Sequence, residues 1–199
     1  MPLDPSRLDP DPLRQFGAWL AEAQAIDLPL PNGFALATAD GAGAPSVRMV
    51  LLRGFDAAGL RFFTNRESRK GRDLAANPHA AAVFHWPQLS RQVRFAGPVA
   101  ALDEQASTAY WTTRPRGSQL AASASAQGEE IADRAALEER VAAVEAHLNA
   151  GDVPMPPFWG GYVLRPDVAE FWESREDRLH DRVEYRRLSH GWERRRLQP

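Results

Sequence analysis

Gly33-Phe-Ala-Leu-Ala-Thr-Ala39, followed by the turn Asp40-Gly-Ala-Gly43 and by Val47-Arg-Met-Val-Leu-Leu52, decides the fold of this sequence. Two apolar runs of strand length that flank a glycine-rich turn predict a β-hairpin. A second turn, Asp56-Ala-Ala-Gly59, leads into residues 60–64, which read Leu-Arg-Phe-Phe-Thr. Together the three runs predict an antiparallel meander.

The flanking sequence adds further strands and helices to this meander. Strands are predicted at residues 80–86, 92–102, 161–164, 168–171 and 192–197, and helices at residues 12–25, 68–76, 103–112 and 133–151. Gly97-Pro98 interrupts one strand, which predicts a bulge or an edge position, and residues 121–126 are predicted as a flexible loop or a weak helix. Roughly six or seven strands in meander order, with helices inserted between them, predict a mainly antiparallel α+β domain, closed or nearly closed into a barrel.

The composition favours one cytoplasmic domain. Residues 1–199 are enough to bury a sizeable core, so we expect a single domain. The formal net charge of −2 gives no global attraction to nucleic acid or to an anionic membrane. The absence of cysteine excludes disulfides, thiolate metal sites and a cysteine nucleophile. The sequence shows no signal peptide and no run of about 18 apolar residues, so we expect a cytoplasmic protein.

The densest group of chemically active side chains lies in residues 171–182, Phe-Trp-Glu-Ser-Arg-Glu-Asp-Arg-Leu-His-Asp-Arg. An extended chain points alternate side chains to opposite sides. Trp172, Ser174 and Glu176 would then share one side of the chain, and Arg178, His180 and Arg182, at the same spacing of two, would lie together on one face. A row of cationic donors needs an anionic or π-rich partner opposite it, which makes this segment a candidate site. From spacing alone, a solvated edge strand is the alternative.

Two further groups of residues are suited to bind phosphate. Ser68-Arg69-Lys70 stands at the predicted start of a helix, where cations meet free backbone amides, and Arg48 and Arg53 end an apolar strand. The second group combines Arg91-Gln92 with residues 110–118, which supply a phenol, arginines and a hydroxyl. Each group alone could be solvated basic surface. Together they predict a ligand, or a pair of ligands, that carries two phosphates.

Other kinds of site have less support. The five histidines show no His-x-x-x-His spacing with an acid nearby, so no metal site is predicted. No Gly-x-Gly-x-x-Gly follows a predicted strand and no Gly-x-Ser-x-Gly occurs, which disfavours a Rossmann turn and a serine nucleophile. Arg194-Arg-Arg196 alternates with Trp192 and Leu197 in the manner of a strand, which disfavours nucleic-acid binding.

Six ordered motifs resemble the pyridoxamine 5′-phosphate oxidase family. The resemblance runs from about residue 11 to residue 199 without a large gap, and the order and spacing of the motifs are specific. The motifs are Arg48-Met-Val-Leu-Leu-Arg53, Phe63-Thr-Asn65 with Ser68-Arg-Lys70, Arg91-Gln92, Tyr110 with Arg114-Pro-Arg-Gly-Ser-Gln119, Phe158-Trp-Gly-Gly161, and Glu170-Phe-Trp172 with Arg178-Leu-His-Asp-Arg182.

The resemblance implies a split β-barrel that forms a homodimer, with one FMN in each of two clefts at the subunit interface. It implies that FMN is held by Arg48, Met49, Val50, Leu51, Phe63, Thr64, Arg69, Lys70, Gln92, Gln127, Trp172 and Arg182. The substrate phosphate would be held by Arg53, Tyr110, Arg114 and Ser118. Arg178 and His180 would line the pyridine ring as the catalytic pair, with Arg178 clamping the substrate over the flavin.

The reaction implied by the resemblance is the oxidation of pyridoxamine or pyridoxine 5′-phosphate to pyridoxal 5′-phosphate. A hydride equivalent passes from the substrate carbon to FMN, and oxygen then takes up the electrons to give hydrogen peroxide. The protein would place that carbon and supply positive charge where negative charge develops. Two alternatives stay open, namely a phenazine-biosynthesis-type oxidase of the same fold and a flavin-binding module without this activity.

Several positions depart from the family pattern. Arg53 stands where lysine is usual, so it would bind phosphate as a planar fork rather than a point charge. Phe63 lacks the hydroxyl of the usual tyrosine, Gly128 replaces a serine that contacts FMN, and Ser123 replaces a tryptophan. The arginine- and tyrosine-bearing segment that closes over the substrate in the family would precede Met1. We therefore expect altered turnover, a substitute segment or a different substrate.

Overall fold

The computed structural model describes residues 2–26, 28–148 and 151–199. Within these residues lie five α-helices: α1 Pro12–Ala25, α2 Arg69–Ala76, α3 Glu104–Thr112, α4 Arg116–Ala124 and α5 Arg134–Leu148. The same residues form ten strands: β1 Gly33–Ala39, β2 Pro45–Leu51, β3 Gly54–Asp56, β4 Gly59–Asn65, β5 His79–Trp86, β6 Arg91–Ala101, β7 Trp159–Leu164, β8 Val168–Glu173, β9 Asp181–Arg187 and β10 Trp192–Arg196. Single 3₁₀ turns occur at Pro87–Leu89 and Glu176–Arg178.

Helix α1 covers one face of the sheet and confirms the helix predicted at residues 12–25. The Asp11 carboxylate accepts a hydrogen bond from the Leu13 amide at 2.8 Å, and a proline occupies the first turn, so both start signals operate. Phe16 is fully buried among sheet residues, and the Trp19 ring meets the Phe171 ring edge-on with centroids 5.1 Å apart. The apolar stripe of α1 thus packs into the main core, most of which comes from the sheet.

The strands pair antiparallel in one curled sheet, in the order β10-β9-β8-β6-β5-β1-β2, while β4 pairs with β3 and β7, and β7 also pairs with β6. The prediction of a mainly antiparallel α+β domain is confirmed, and the sheet curls into a half-barrel. The hairpins β1–β2 and β3–β4 form as expected. The continuous meander is wrong, because β4 takes β7 rather than β2 as its second neighbour. Gly54, at φ +154°, opens β3 where the chain leaves β2 for the other half of the barrel.

Strand β6 passes from one half of the barrel to the other at Gly97-Pro98. Its register with β5 runs without a break from Arg91 to Pro98, while its opposite side pairs first with β8 and then, from Val99, with β7. The predicted bulge or edge position is therefore wrong. A Cβ atom at residue 97 would lie 2.2 Å from the Arg165 carbonyl oxygen, so the crossing of the two segments requires glycine.

The segment at residues 171–182 is a hairpin rather than one extended strand. Strand β8 ends at Glu173, a loop of residues 174–180 follows, and β9 begins at Asp181. Asp177 and Arg178 have φ values of 53° and 61°, which turns the chain back. The prediction that Arg178, His180 and Arg182 share one face of an extended strand is therefore wrong. Strand β9 was not predicted, because its sequence is rich in charged residues.

A smaller core lies beneath the last three helices. Trp111, Leu120, Val153 and Trp159 are buried there, and the apolar side of α5 packs against them. Residues 121–126 were predicted as a loop or a weak helix, and α4 extends through Ala124. Across the described part of the chain, no helix is both long and apolar enough to cross a membrane.

Candidate functional site

A cavity of about 790 Å³ opens between β2, β4, the start of α2 and helices α3 and α4. Its described lining contains cationic side chains but no carboxylate. Like charges that share a cavity repel one another unless an anion enters, so this lining is suited to a polyanionic ligand. The cations are Arg48, Arg53, Arg69, Lys70 and Arg114.

Lys70 lies at the centre of the first group of donors. It is the only lysine in the sequence and is 8% exposed. Its ammonium group donates to the Thr64 and Ser68 hydroxyls, each at 3.1 Å, and to the Gln127 amide oxygen at 2.9 Å. These three neutral oxygens use all three of its donors without neutralising the charge. Arg69 occupies the first position of α2, where free backbone amides also favour an anion.

Arg48 is held beside Lys70 by a network that reaches into the sheet. Its guanidinium donates to the Leu36 carbonyl at 3.1 Å and to the Thr38 hydroxyl at 2.8 Å. Thr38 in turn donates to the buried Asp73 carboxylate at 2.6 Å, and that carboxylate lies 3.7 Å from Arg48. Asp73 therefore holds the Arg48 guanidinium in place, both directly and through Thr38.

The pKa values of these cations show the cost of placing them together. Burial, followed by the charge of Arg48, lowers the pKa of Lys70 to about 8. Burial also lowers the pKa of Arg48; the charge of Asp73 partly offsets that effect, and the charge of Arg69 adds to it. The negative charge of an entering anion would raise the pKa values of both groups.

A second group of donors lines the same cavity near α3 and α4. The Arg114 guanidinium carbon lies 4.9 Å from the Trp159 ring centroid and 5.1 Å from that of Trp111. One of its nitrogens donates to the Ser118 carbonyl at 2.9 Å. Arg53 lies 5.6 Å from the Tyr110 ring centroid. Aromatic faces thus orient both arginines and leave their forks available for an anion.

Phe63 joins the aromatic side of the cavity. Its ring stacks on Tyr110 with centroids 4.1 Å apart and on Trp159 at 5.4 Å. The ring that replaces the usual tyrosine thus contributes packing here. Gly128 also lines the cavity, and its φ of +98° is a conformation that favours glycine.

Three of the remaining predicted residues lie in one row across three neighbouring strands. Gln92 of β6 stands opposite Trp172 of β8, and Trp172 stands opposite Arg182 of β9. Arg182 makes a two-pronged ion pair with the buried carboxylate of Glu170, at 2.9 and 3.0 Å. Gln92 and Glu170 line a second, smaller cavity of about 370 Å³ on the face of the sheet.

Arg178 and His180 lie in the loop beside this row. The His180 ring centroid is 4.7 Å from that of Trp172, and its Nδ1 atom accepts a hydrogen bond from the Arg175 amide at 3.1 Å. A neutral His180 therefore carries its proton on Nε2, where it can be donated to a ligand. Arg178 is exposed at the tip of the loop.

Within one chain the structure brings together most of the predicted site residues but not all. The cavity is lined by Arg48, Met49, Val50, Leu51, Arg53, Phe63, Thr64, Arg69, Lys70, Tyr110, Arg114, Ser118 and Gln127. Its described lining does not include Gln92, Trp172, Arg178, His180 or Arg182.

Two acidic residues that organise these side chains were not predicted. Asp73 lies one helical turn after Arg69 in α2, and Glu170 opens the recognised motif Glu170-Phe-Trp172, but no role was predicted for either. Their roles could not be predicted from the sequence, because their partners, Arg48 and Arg182, are brought to them by the fold.

Family models match most of the chain. Residues 20–148 match the model described as pyridoxamine 5′-phosphate oxidase. Residues 159–199 match the model described as the pyridoxine 5′-phosphate oxidase C-terminal dimerisation region. Strands from both matched segments pair with each other, as β6 does with β8.

Curated relatives and solved structures agree with these matches. The chain is 52% identical to the pyridoxine/pyridoxamine 5′-phosphate oxidase of Anaeromyxobacter dehalogenans over 100% of both chains. It is also 52% identical to that of Rubrobacter xylanophilus, over 96% of this chain and 88% of the relative. PhzG from Burkholderia lata, solved with tetrahydrophenazine-1-carboxylic acid, superposes with a TM-score of 0.92 at 33% identity, covering 98% of this chain and 96% of PhzG.

A more distant structure shares the fold. A pyridoxamine 5′-phosphate oxidase-related, FMN-binding protein from Nostoc punctiforme superposes with a TM-score of 0.76 at 22% identity, covering 95% of this chain and 98% of that one. The curled antiparallel sheet is thus the split barrel that the sequence motifs implied. From its family-model matches and its full-length relatives, this chain belongs to the pyridoxamine 5′-phosphate oxidase family.

Proposed function

We propose that this protein is an FMN-dependent oxidase that converts pyridoxamine or pyridoxine 5′-phosphate to pyridoxal 5′-phosphate, with oxygen as acceptor and hydrogen peroxide as product. The observation that carries the proposal is the cavity whose described lining holds cations in two groups and no carboxylate. Two phosphorylated ligands, a cofactor and a substrate, match that pattern of charge. Relatives that are 52% identical carry the corresponding name.

The residues of the first group fit FMN. Its phosphate would meet Arg48, Arg69 and Lys70, together with the start of α2. Residues 49–51 of the exposed strand β2 would run along the flavin, beside Phe63 and Gln127. When bound, FMN would accept a hydride equivalent from the substrate and pass the electrons to oxygen.

The residues of the second group fit the substrate phosphate. Arg53 and Arg114 offer two forks, and the Ser118 and Tyr110 hydroxyls add donors. Because Arg114 is already oriented by two indole faces, little conformational entropy is lost when it binds a phosphate. These residues would hold the substrate in one orientation and leave its reacting carbon to be placed by the rest of the site.

A second copy of the chain would complete the site. The row Gln92, Trp172 and Arg182, with Arg178 and His180 beside it, lies outside the cavity of its own chain. A homodimer that joins the row of one copy to the cavity of the other would assemble every predicted residue. Residues 159–199, which match the dimerisation region, include β8 and β9. We infer that the whole chain works as one FMN-binding domain, and its cytoplasmic location stays a prediction.

The loop residues would act on the pyridine ring. Arg178 would clamp the substrate and supply positive charge close to the reacting carbon. His180 would donate from Nε2, because Nδ1 is engaged by the Arg175 amide. Together they would exclude water from one side of the substrate.

The test is to purify the protein, record the flavin absorption spectrum, and measure aldehyde and peroxide formed from pyridoxamine and pyridoxine 5′-phosphates. We expect FMN to be bound and both products to appear in equal amounts. FMN binding with no turnover would leave a flavin-binding module and reject the oxidase. A protein that takes up no FMN would reject the proposal as a whole.

A phenazine-type oxidase is the second candidate because PhzG superposes with a TM-score of 0.92. A carboxylate could occupy the second donor group in place of a phosphate. The same assay, repeated with tetrahydrophenazine-1-carboxylic acid, separates the candidates. Oxidation of that acid with no activity on the two phosphorylated substrates would favour the second candidate.

A further inference from the structure

A chain of alternating charges lies beneath the 174–180 loop. It links helix α1, strand β6, strand β8, the loop, strand β9 and strand β10 through consecutive ion pairs. In order, its members are Glu22, Arg91, Glu173, Arg175, Asp181 and Arg196. Each inner member contacts an opposite charge on both sides, which distinguishes this network from an isolated surface pair.

Arg175 is the member that belongs to the loop. One terminal nitrogen lies 2.8 Å from the Glu173 carboxylate, and its Nε lies 2.7 Å from that of Asp181. The planar fork thus joins the last residue of β8 to the first residue of β9, across the base of the loop. A single cation therefore ties both ends of the loop together.

Asp181 is where the loop meets the rest of the fold. Its side chain is 8% exposed and accepts hydrogen bonds from Arg175, from Arg196 at 2.7 Å and from the Leu3 amide at 3.1 Å. Burial alone would raise the pKa of this carboxyl, but the donors outweigh burial and lower it. Asp181 therefore stays ionised and keeps all three partners.

The loop needs such support because its backbone is unusual. Asp177 and Arg178 lie consecutively in the left-handed region, which non-glycine residues avoid. The amide of Arg175 also donates to His180, so the position of Arg175 sets the orientation of the imidazole. Leu179, at the tip, is 70% exposed and adds little packing of its own.

The strand register places this network next to the row proposed to meet the flavin. Arg91, Glu173 and Asp181 are mutual cross-strand partners, one residue along from Gln92, Trp172 and Arg182. Neighbouring residues of a strand point to opposite faces. The charge chain therefore lies on the opposite face of the sheet from the row, and it joins the strand ends that carry the row and the loop.

We propose that Arg175 and Asp181 are positioning residues that hold the 174–180 loop in the conformation that presents Arg178 and His180 to the substrate. This inference rests on the proposed function for the role of the loop. The strand ladders hold β8 and β9 without Arg175, so the contribution of Arg175 falls on the loop itself. Neither residue would touch the substrate.

The test compares Arg175→Ala with wild type in two measurements. Hydrogen exchange of the apo protein should be at least about tenfold faster in the 174–180 segment, with β8 and β10 unchanged. In the FMN-loaded enzyme, KM for pyridoxamine 5′-phosphate should rise about tenfold, with a smaller change in kcat and full FMN content. Asp181→Asn should also speed exchange in the 174–180 segment and raise KM, but because it also removes charge from the contacts to Leu3 and to Arg196 of β10, Arg175→Ala is the primary variant.

Glu184→Gln is the matched control. Glu184 lies in β9, is 12% exposed and pairs with Arg186 and Arg195, which lie outside the charge chain. It should leave both the exchange of the loop and KM unchanged. Unchanged loop exchange in Arg175→Ala would overturn the proposal, and so would faster exchange spread evenly over β8–β10 with a lower Tm. If the wild type has no activity on the phosphorylated substrates, the exchange measurement still tests the loop, so the two failures remain distinct.

Discussion

Lys70 is the residue whose charge responds most to the electrostatics of the cavity. Apart from five histidines, all other basic residues of the sequence are arginines, and Lys70 is the one side chain with a compact ammonium. Its three hydrogen bonds go to neutral oxygens, and its pKa falls to about 8. A bound phosphate would stabilise the charged form of Lys70, because the anion raises the pKa that burial lowers.

FMN affinity of the apo protein should therefore fall above pH 8. The folded-state pKa of Lys70 is depressed to about 8, so the charged form that a phosphate dianion prefers is half populated at about pH 8 and is lost as the pH rises further. Bound phosphate raises that pKa, and affinity should drop by up to about tenfold per pH unit above pH 8. Titrating apo protein with FMN between pH 7 and 9.5 measures the effect.

The matched variant for this titration is Lys70→Gln, which keeps hydrogen bonding and removes the titrating charge. It should bind FMN more weakly, with little pH dependence over the same range. If wild type were equally flat, Lys70 would not be the group that binds the phosphate. Because the sequence has one lysine, amine labelling at that residue reports its pKa independently, and FMN should protect it.

At the scale of elements, the sequence predicted what local signals encode. Helix α1 has a cap, a first-turn proline and a regular stripe, and its bounds were predicted correctly. Strand β9 has the burial alternation of a strand, with Asp181, Val183 and Tyr185 inward, but its inward position 181 is an acid. The Asp181 carboxylate pairs with Leu3, Arg175 and Arg196, so the neighbouring sequence gives no signal that this acid is buried.

The same limit applies to the site. The cationic motifs were recognisable because arginines end an apolar strand and an arginine and a lysine stand together at a helix start. The roles of the acids that hold them, Asp73 and Glu170, were not predictable, because each pairs with an arginine brought near by strand pairing or helix packing. Sequence alone thus predicted the groups that would meet ligands better than the groups that position them.

The crossing at Gly97 in strand β6 leads to a prediction about stability. Gly97→Ala should destabilise the protein by about 3 kcal/mol or more, because the new Cβ would lie 2.2 Å from the Arg165 carbonyl oxygen and 2.8 Å from the Asp167 nitrogen. Thermal or denaturant unfolding measures this loss. Gly117→Ala is the control, since a Cβ there has open space within α4 and should be neutral or slightly stabilising. Equal effects of the two substitutions would contradict the proposed role of the crossing.

At the scale of the whole molecule, the division of the site residues between two places is the main observation. One chain offers a cationic cavity, and elsewhere it offers the row and the loop. The exposed strand β2, with Val47 67% and Met49 68% exposed, borders both cavities. A second copy packed on this face would bury those side chains and bring its own row to the first copy's cavity.

Hybrid dimers test this arrangement directly. Arg53→Ala removes a cavity residue and Arg178→Ala removes a loop residue, and neither belongs to the set proposed to bind FMN. Each variant alone should keep FMN and turn over slowly. When the two are unfolded together and refolded, or co-expressed, about a quarter of the wild-type activity should return. Half of randomly assembled dimers are hybrid, and each hybrid holds one intact site and one doubly defective site. A mixture no more active than its parents would mean that cavity and loop act within one chain, and loss of FMN in Arg178→Ala would assign that arginine to the flavin instead.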